Sequence, residues 1–319
     1  MSAAPVIAAV DGSADSLRAL DWALDAARRR AAPLRVVHVR YAAWGQADVL
    51  VAAPPEAEGD PVLDEVRTRI GDRAGVGDGV RGGVGDGAGV GDRSAEPAVE
   101  YIAVEGVPGA VLPGLGSDAQ LLVLGSRGRG GFASLLLGSN GLAAARDAEC
   151  PVVVVPRPGR EAHGEGPAEP GPRVVVGLHA DSPDEDVLAF AFAEAALRGA
   201  RLQVIAAYPW PVQTWSAPGQ MAPPPVDQEA VADETRTLAE GFLAPHRTRH
   251  PEVRADAEAL PGDAAGHLVA ASREAELVVV GRHRRRLLAP ARMMGSVTQA
   301  VLLHAASPVA VVPPAPPEE

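Results

Sequence analysis

Three glycines and a serine stand at spacings that suit the binding of an anion. Gly125 and Gly128 come directly after a short apolar run, and Gly138 and Ser139 follow after nine intervening residues, at the start of a predicted helix. Glycine lets the backbone approach a phosphate closely, and the N–H groups at the start of a helix attract negative charge. We expect Ser139 to donate a hydroxyl hydrogen bond and to cap the helix. These residues predict a phosphate-binding loop.

The charged residues and the single cysteine exclude several classes of function. Arg127 and Arg129 lie inside the loop, where their guanidinium groups are placed to neutralise phosphate charge. The chain has no lysine, which excludes a Walker-type ATPase and Schiff-base catalysis, because both require a lysine amine. The formal net charge of −12 disfavours a general nucleic-acid-binding role. The one cysteine, Cys150, excludes an internal disulfide and a multi-cysteine zinc site, and we expect it to be a packed thiol.

The chain contains two copies of one sequence pattern. Residues 118–156 and 274–314 each hold an apolar run that closes on glycine, an arginine-rich loop, a Gly-Ser pair, a helical stretch, and a proline before valines. Residues 5–16 and 173–184 also match each other. This repetition predicts two tandem domains. Their expected bounds are 1–156 for the first domain, 157–172 for a linker, 173–314 for the second domain and 315–319 for a tail.

Short apolar strands alternate with amphipathic helices in both copies. Such strands are typical of a parallel sheet covered on both faces, so we predict an α/β fold with two tandem, doubly wound parallel-sheet domains of Rossmann-like type. The strands predicted in the first copy are Val6–Val10, Leu34–Val39, Val99–Val104, Leu121–Leu124 and Val152–Val155. Those of the second copy lie near 173–178, 201–207, 252–258, 277–280 and 308–312.

Residues 71–95 are rich in glycine and aspartate. They hold almost no apolar side chain larger than valine and so cannot offset their ordering entropy, which predicts a flexible insertion. The pattern GGVGDG is similar to a calcium-binding nonapeptide repeat. However, its aspartate falls one position early and the repeat is not sustained, which disfavours calcium binding.

The spacing G-x2-G-x9-G-S resembles the signature of the ATP-binding class of universal stress proteins. The segment AVDGS at 9–13 and the G-x-P turn at 106–108 also resemble that family. The resemblance covers both copies and implies a fold like that of the adenine nucleotide alpha hydrolases. It implies ATP contacts at Asp11, Val39, Leu124, Gly125, Gly128, Gly138, Ser139 and Asn140. Arg127 is a further candidate contact, because its positive charge suits a phosphate.

The second copy departs from this signature. Gly281 stands where the motif begins, but Arg284 replaces the second glycine and Gly295 arrives one residue late. His179 stands where the first copy has Asp11. A side chain at the second glycine would crowd the phosphate path. Two interpretations stay open: the basic loop 282–286 is a solvated remnant of a lost ATP site, or it binds another anion or an acidic partner.

Two histidines four residues apart, His246 and His250, have the spacing of a metal pair on one helix face. Pro251 follows them among polar residues, so we expect a fraying helix end there and no metal. Trp210 and Trp215 lie in a proline-rich loop and are candidates for capping the domain or contacting a partner.

The resemblance implies a non-enzymatic ATP-binding regulator of stress or dormancy, with ATP held by the first domain and Mg²⁺ left open. We expect no catalytic residues, no nucleic-acid or membrane partner, and an unidentified protein partner. The absence of a signal peptide and of a long apolar run predicts a cytoplasmic location. The matching tails at 150–155 and 307–312 predict an internal pseudo-dimer of the two copies through their last strands.

Two alternative functions remain. The segment DGSADS at 11–16 shares its trailing Asp15 and Ser16 with the SGGxDS loop of ATP pyrophosphatases, which adenylate substrates, but it lacks the paired glycines. An adenylating or slowly ATP-hydrolysing enzyme is therefore the second candidate, although no complete catalytic set is visible. The third candidate is an interaction module that binds no nucleotide.

Overall fold

A computed structural model of the chain describes residues 3–40, 59–77, 96–129, 137–159, 171–209, 227–282 and 294–314. By their contacts, these residues divide into two compact units, of which the first ends at Gly159. Each unit is an α/β layer structure with a parallel sheet, so the predicted fold class is confirmed.

The first unit contains five strands and four α-helices within its described residues. The strands are β1 (Val6–Val10), β2 (Leu34–Arg40), β3 (Val99–Glu105), β4 (Leu121–Gly125) and β5 (Val152–Val155). The helices are α1 (Ala14–Arg29), α2 (Pro61–Gly77), α3 (Pro108–Gly114) and α4 (Ser139–Asp147). The sheet order is β3-β2-β1-β4-β5, and each neighbouring pair is parallel.

The second unit repeats this order. Its strands are β6 (Arg173–Leu178), β7 (Arg201–Tyr208), β8 (Ala255–Pro261), β9 (Leu277–Gly281) and β10 (Val309–Val312). Its helices are α5 (Glu185–Arg198), α6 (Gln228–Arg249), α7 (Ala264–Ala271) and α8 (Ser296–His304). The sheet order is β8-β7-β6-β9-β10, again with parallel neighbours.

The sheet order creates a switch point in the first unit. The chain moves outward from β1 to β2 and β3, and then returns to place β4 and β5 on the other side of β1. With right-handed crossovers, this reversal puts α1 and α2 on one face of the sheet and α3 and α4 on the other. Ligands of such sheets bind in the crevice at the carboxyl ends of the strands on either side of the reversal, which here are β1 and β4.

Burial explains why these residues form these elements. The strands flanking the switch point are almost entirely enclosed, with Ile7, Leu122 and Val123 fully buried. Helix α1 presents Leu20 and Leu24 to the sheet at helical spacing. Its first turn is capped by the Ser13 side chain, which accepts a hydrogen bond from the Ser16 N–H at 3.2 Å.

Two predicted boundaries are wrong. Strand β8 begins at Ala255 and not at 252, because the Val253 N–H turns back to the His250 carbonyl and pairing with β7 starts only at Ala255. The insertion was expected to begin at residue 71, but α2 continues to Gly77. Once a helix has formed, each added residue gains one hydrogen bond, which favours its continuation into the segment after residue 70. The rest of the insertion, 78–95, lies outside the described residues.

The expected fraying at His246 and His250 is also wrong. Helix α6 runs to Arg249, with His250 as its C-cap, and the His246 side chain is fully buried. The His246 ring stacks on Phe192 with ring centres 5.2 Å apart, and its Nε2 lies 2.9 Å from the Glu185 carboxylate. Packing against α5 therefore fixes the end of α6. Cys150 is buried, as predicted for a packed thiol.

No helix in the described ranges is long and apolar enough to cross a membrane.

Candidate functional site

The predicted site residues of the first unit lie around the switch point. Asp11 directly follows β1, Gly125 ends β4, and Gly138 immediately precedes α4. We call residues 125–138 the glycine loop; the structure describes 125–129 and 137–138 of it. The loop starts at the carboxyl edge of the sheet and ends at the first turn of a helix. The elements that the motif predicted are thus present in that order.

The Asp11 carboxylate connects the turn that follows β1 to the glycine loop. Its Oδ1 accepts a hydrogen bond from the Ser13 N–H at 3.0 Å, and its Oδ2 accepts one from the Arg129 N–H at 2.7 Å. Burial raises the pKa of Asp11, but the hydrogen bonds from Ser13, Arg129 and Ser16 outweigh it, so its pKa lies below the ordinary value. Asp11 is therefore ionised at neutral pH.

Gly128 packs directly against this carboxylate. A Cβ built on residue 128 would overlap Asp11 Oδ2. A side chain at residue 128 would therefore have to displace the Asp11 carboxylate. This contact gives a reason for glycine here that is separate from the open phosphate path expected from the sequence.

Residue 125 has even less room for a side chain than residue 128. A Cβ on residue 125 would lie 2.6 Å from the carbonyl carbon of Asp15 and 2.9 Å from the backbone nitrogen of Ser16. Those atoms belong to the first turn of α1, whose backbone cannot move aside as a flexible side chain does. The end of β4 therefore packs against the start of α1 without any intervening side chain.

The glycine loop closes at its two ends. The Gly138 N–H donates to the Ser126 carbonyl oxygen at 2.7 Å. Gly138 is also the N-cap of α4 and, having no side chain, makes no side-chain capping hydrogen bond to the helix. The prediction that Ser139 is the N-cap is wrong, because the extended backbone that defines a cap occurs one residue earlier, at Gly138. Ser139 is instead the first helical residue and is exposed.

The other residues expected to contact ATP differ in how far they are buried. Val39 is half-buried near the end of β2. Its neighbour His38 bonds Asp60 at 2.7 Å at the start of α2, so strand alternation directs Val39 to the opposite face, that of α3 and α4. Leu124 is buried, which leaves its backbone as the part near the site. Asn140 is exposed on α4, while Arg127 is half-buried.

Arg129 covers the turn after Asp11. Its Nη2 donates to the Gly12 carbonyl oxygen at 3.3 Å, and a Cβ on Gly12 would lie 2.8 Å from the Arg129 Cζ. Gly12 adopts a φ of 74°, which side-chain-bearing residues rarely adopt. A guanidinium group therefore lies next to the Asp11 turn, at the edge of the site.

Asp15 and Ser126 form a pair that the motif did not reveal. Ser126 Oγ donates to Asp15 Oδ2 at 3.2 Å, and the two residues are 0% and 3% exposed. Asp15 Oδ1 is also bound by Arg18 and Arg157. Asp15 is the aspartate that the chain shares with the ATP pyrophosphatase loop, but here its carboxylate is enclosed and bound by side chains of the protein.

The second unit differs at the corresponding positions. His179 is exposed and replaces the carboxylate of Asp11, and Gly281 contacts Val187 where Gly125 contacts Asp15. Gly295 caps α8, and Thr298 Oγ1 donates to the Gly281 carbonyl oxygen at 2.7 Å. Arg284, like most of the basic loop, lies outside the described residues, as do Trp210 and Trp215.

The described residues contain no group of three or more His, Cys, Asp or Glu side chains arranged to hold a metal ion.

Sequence comparison matches both copies to one family. The family model described as universal stress protein family matches residues 4–156 and 172–313. Universal stress protein Rv2005c of Mycobacterium tuberculosis (strain ATCC 25618 / H37Rv) is 33% identical over 313 residues, which covers 96% of this chain and 96% of that protein.

Structural comparison agrees at the level of the fold. A crystal structure of a universal stress protein from Archaeoglobus fulgidus DSM 4304 covers 98% of this chain, and 99% of that chain is matched, with a TM-score of 0.57 and 16% identity. At this identity the match shows the fold alone. A universal stress protein from Archaeoglobus fulgidus in complex with dAMP is 25% identical and is itself 98% covered. It matches only 44% of this chain, and its TM-score of 0.30 is too low to bear on the site.

Proposed function

Because this chain belongs to the universal stress protein family, we propose that its first unit binds ATP and that the bound nucleotide controls its interactions in a stress or dormancy response. The observation that carries the proposal is the convergence of the ionised Asp11, the bare backbone of Gly128 and the uncapped start of α4 at the switch point.

Each part of the site suits one part of ATP. The Asp11 carboxylate accepts hydrogen bonds, which suits the hydroxyl groups of the ribose. The N–H groups at the start of α4 receive no side-chain cap from Gly138 and suit the phosphates. Arg127 and Arg129, both in the glycine loop, would supply positive charge. Val39 offers an apolar surface for adenine. Mg²⁺ would accompany the phosphates as part of the ligand.

We propose binding without turnover as the function of this site. An adenylating enzyme would need a free acid–base or nucleophilic group beside the phosphates, but Asp15 is engaged by Ser126, Arg18 and Arg157. Without turnover, ATP acts by binding one conformation of the protein more tightly than another. It thereby changes which conformation a partner protein meets.

We propose that the second unit binds no ATP, because His179 replaces the carboxylate and Arg284 replaces the second glycine. The expected stoichiometry is one ATP per chain. The pairing of the two copies through their last strands stays a prediction, as do the cytoplasmic location and the existence of a protein partner.

Isothermal titration calorimetry of the full chain with ATP, with and without Mg²⁺, tests these statements. We expect one site per chain and no steady release of ADP, AMP or pyrophosphate. The absence of binding heat and of co-purifying nucleotide under both conditions would refute ATP binding. Two equivalent sites would refute the asymmetry between the units. Sustained turnover with a second substrate would favour the adenylating enzyme.

A further inference from the structure

We propose that Ser126 is the positioning residue of the nucleotide site, and that it sets the glycine loop through its buried hydrogen bond to Asp15. The inference rests on the proposed function of the first unit and deepens it. In the loop motif, Ser126 occupies one of the two variable positions between Gly125 and Gly128, so the motif assigns it no role.

Ser126 is bonded to three elements by three different groups. Its N–H donates to the Val155 carbonyl oxygen at the end of β5, at 2.9 Å. Its carbonyl oxygen accepts from the Gly138 N–H at the start of α4, at 2.7 Å. Its Oγ donates to Asp15 in the first turn of α1, at 3.2 Å. One fully buried residue therefore connects the sheet edge to both helices that begin at the site.

Asp15 is well placed to hold this hydroxyl. Its carboxylate is almost completely buried, and a buried carboxylate requires partners. Arg18 Nη2 and Arg157 Nε both bond Oδ1, at 2.5 Å and 3.2 Å, while Oδ2 receives the Ser126 hydroxyl. The two arginines orient the carboxylate, and the remaining oxygen fixes the rotamer of Ser126.

The position of Ser126 determines the geometry of both flanking glycines. Gly125 immediately precedes it and packs on the backbone of Asp15, while Gly128 follows two residues later and packs on Asp11. Loss of the hydroxyl would leave a buried carboxylate oxygen without this donor and would release the loop from α1. The loop would then sample more conformations, and binding would have to supply the ordering free energy.

The second unit supplies an internal comparison. The Arg282 N–H still bonds the Val312 carbonyl at 2.8 Å, as the Ser126 N–H bonds Val155. The hydroxyl has been replaced by an arginine, however, and a Cβ on Gly281 would meet the side chains of Val187 at 3.0 Å and Asp184 at 3.6 Å, where a Cβ on Gly125 would meet the backbone of Asp15. The fold is therefore kept without the hydroxyl–carboxylate bond. The bond occurs in the unit that retains the full glycine motif and is missing from the unit that departs from it.

The test compares Ser126→Ala with Ser126→Thr, which restores a hydroxyl, and with Ser117→Ala. The last variant removes an exposed serine hydroxyl of the same unit, one that bonds the Gly114 carbonyl oxygen and not Asp15. Two quantities are measured on the full chain: amide hydrogen exchange of residues 125–129 without nucleotide, and the dissociation constant for ATP. Thermal unfolding reports global stability separately.

We expect Ser126→Ala to accelerate exchange in the loop and to weaken ATP binding about tenfold. Ser126→Thr should restore both, and Ser117→Ala should change ATP binding less than twofold. Unchanged loop exchange in Ser126→Ala would overturn the positioning role even if the wild-type protein binds ATP. Equal losses in the alanine and threonine variants would also overturn it, because the hydroxyl would then be irrelevant.

Failure of the proposed function gives a different pattern. If the wild-type chain binds no ATP while Ser126→Ala still accelerates loop exchange, the nucleotide role of the residue is refuted. Its contact with Asp15 would then be a feature of the fold alone.

Discussion

The carboxylate of Asp11 occupies the space in which residue 128 would carry a side chain. The two positions are therefore coupled: a side chain at residue 128 would displace the Asp11 carboxylate from its place after β1. In the second copy, both positions differ: His179 corresponds to Asp11 and Arg284 to Gly128. Without the carboxylate, the requirement for glycine no longer holds, which gives a physical reason why the two changes accompany each other.

This coupling predicts the effect of Gly128→Ala. The new Cβ would displace Asp11 Oδ2 from the Arg129 N–H and move the carboxylate that we propose contacts the ribose. We expect at least a tenfold weaker ATP affinity, which corresponds to about 1.4 kcal/mol. Calorimetric titration measures this change. Gly241→Ala in α6 is the matched control, because no atom lies within 4 Å of its Cβ position and the substitution should leave ATP binding unchanged.

The same contact predicts non-additivity in a double-mutant cycle. In an Asp11→Ala background the overlap is absent, so adding Gly128→Ala should cost little further stability. Thermal unfolding of the two single variants and the double variant measures the coupling. Strictly additive effects would show that the two side-chain positions do not interact.

Gly125→Ala should destabilise the protein, because its Cβ would meet the backbone of α1 at 2.6 Å. We expect a loss of about 1–3 kcal/mol, the usual range for overpacking. Gly281→Ala in the second unit is the matched comparison: its closest contact is a Val187 methyl group at 3.0 Å, which yields more easily. Urea unfolding of both variants tests the difference, and equal losses would contradict the backbone argument.

Much of the fold could be predicted from periodicity alone. The strands β1, β5 and β6 have the bounds that the sequence predicted, because each apolar run is enclosed by clear turn residues. The start of β8 was misplaced, because Val253 is apolar yet belongs to a turn. An apolar residue type favours burial, but it does not indicate which backbone hydrogen bonds the residue makes.

The sequence names the residues of the candidate site but not the contacts among them. Spacing indicated Gly125 and Gly128, and the family resemblance indicated Asp11, but the contact of Ser126 with Asp15 joins residues far apart in sequence. The internal repeat contains one signal that would have helped. The first copy has serine where the second has Arg282, next to a glycine that both copies keep.

His246 provides a stability test in the second unit. Its ring is fully buried, stacks on Phe192 and bonds Glu185, so His246→Ala should leave a cavity and remove the hydrogen bond to Glu185. We expect a loss of about 2–3 kcal/mol. His250→Ala should cost clearly less, because the His250 side chain is 28% exposed. Urea unfolding compares the two variants, and equal costs would contradict the role of burial.

Asp15 should make the stability of the protein depend on pH in the acid range. Burial raises the pKa of Asp15, but the hydrogen bonds from Arg18 and Arg157 outweigh it, so the folded-state pKa lies below the ordinary value of 3.8. A lowered carboxyl pKa contributes stability above the unfolded-state pKa, and this contribution is lost as the pH falls through the folded-state value. Asp15→Asn should therefore cost about 2 kcal/mol at pH 7. The difference from wild type should shrink once the pH falls below 3.8. Thermal unfolding of both proteins between neutral pH and that range measures it, and a gap that stays constant across the range would contradict the ionised, arginine-bound state of Asp15.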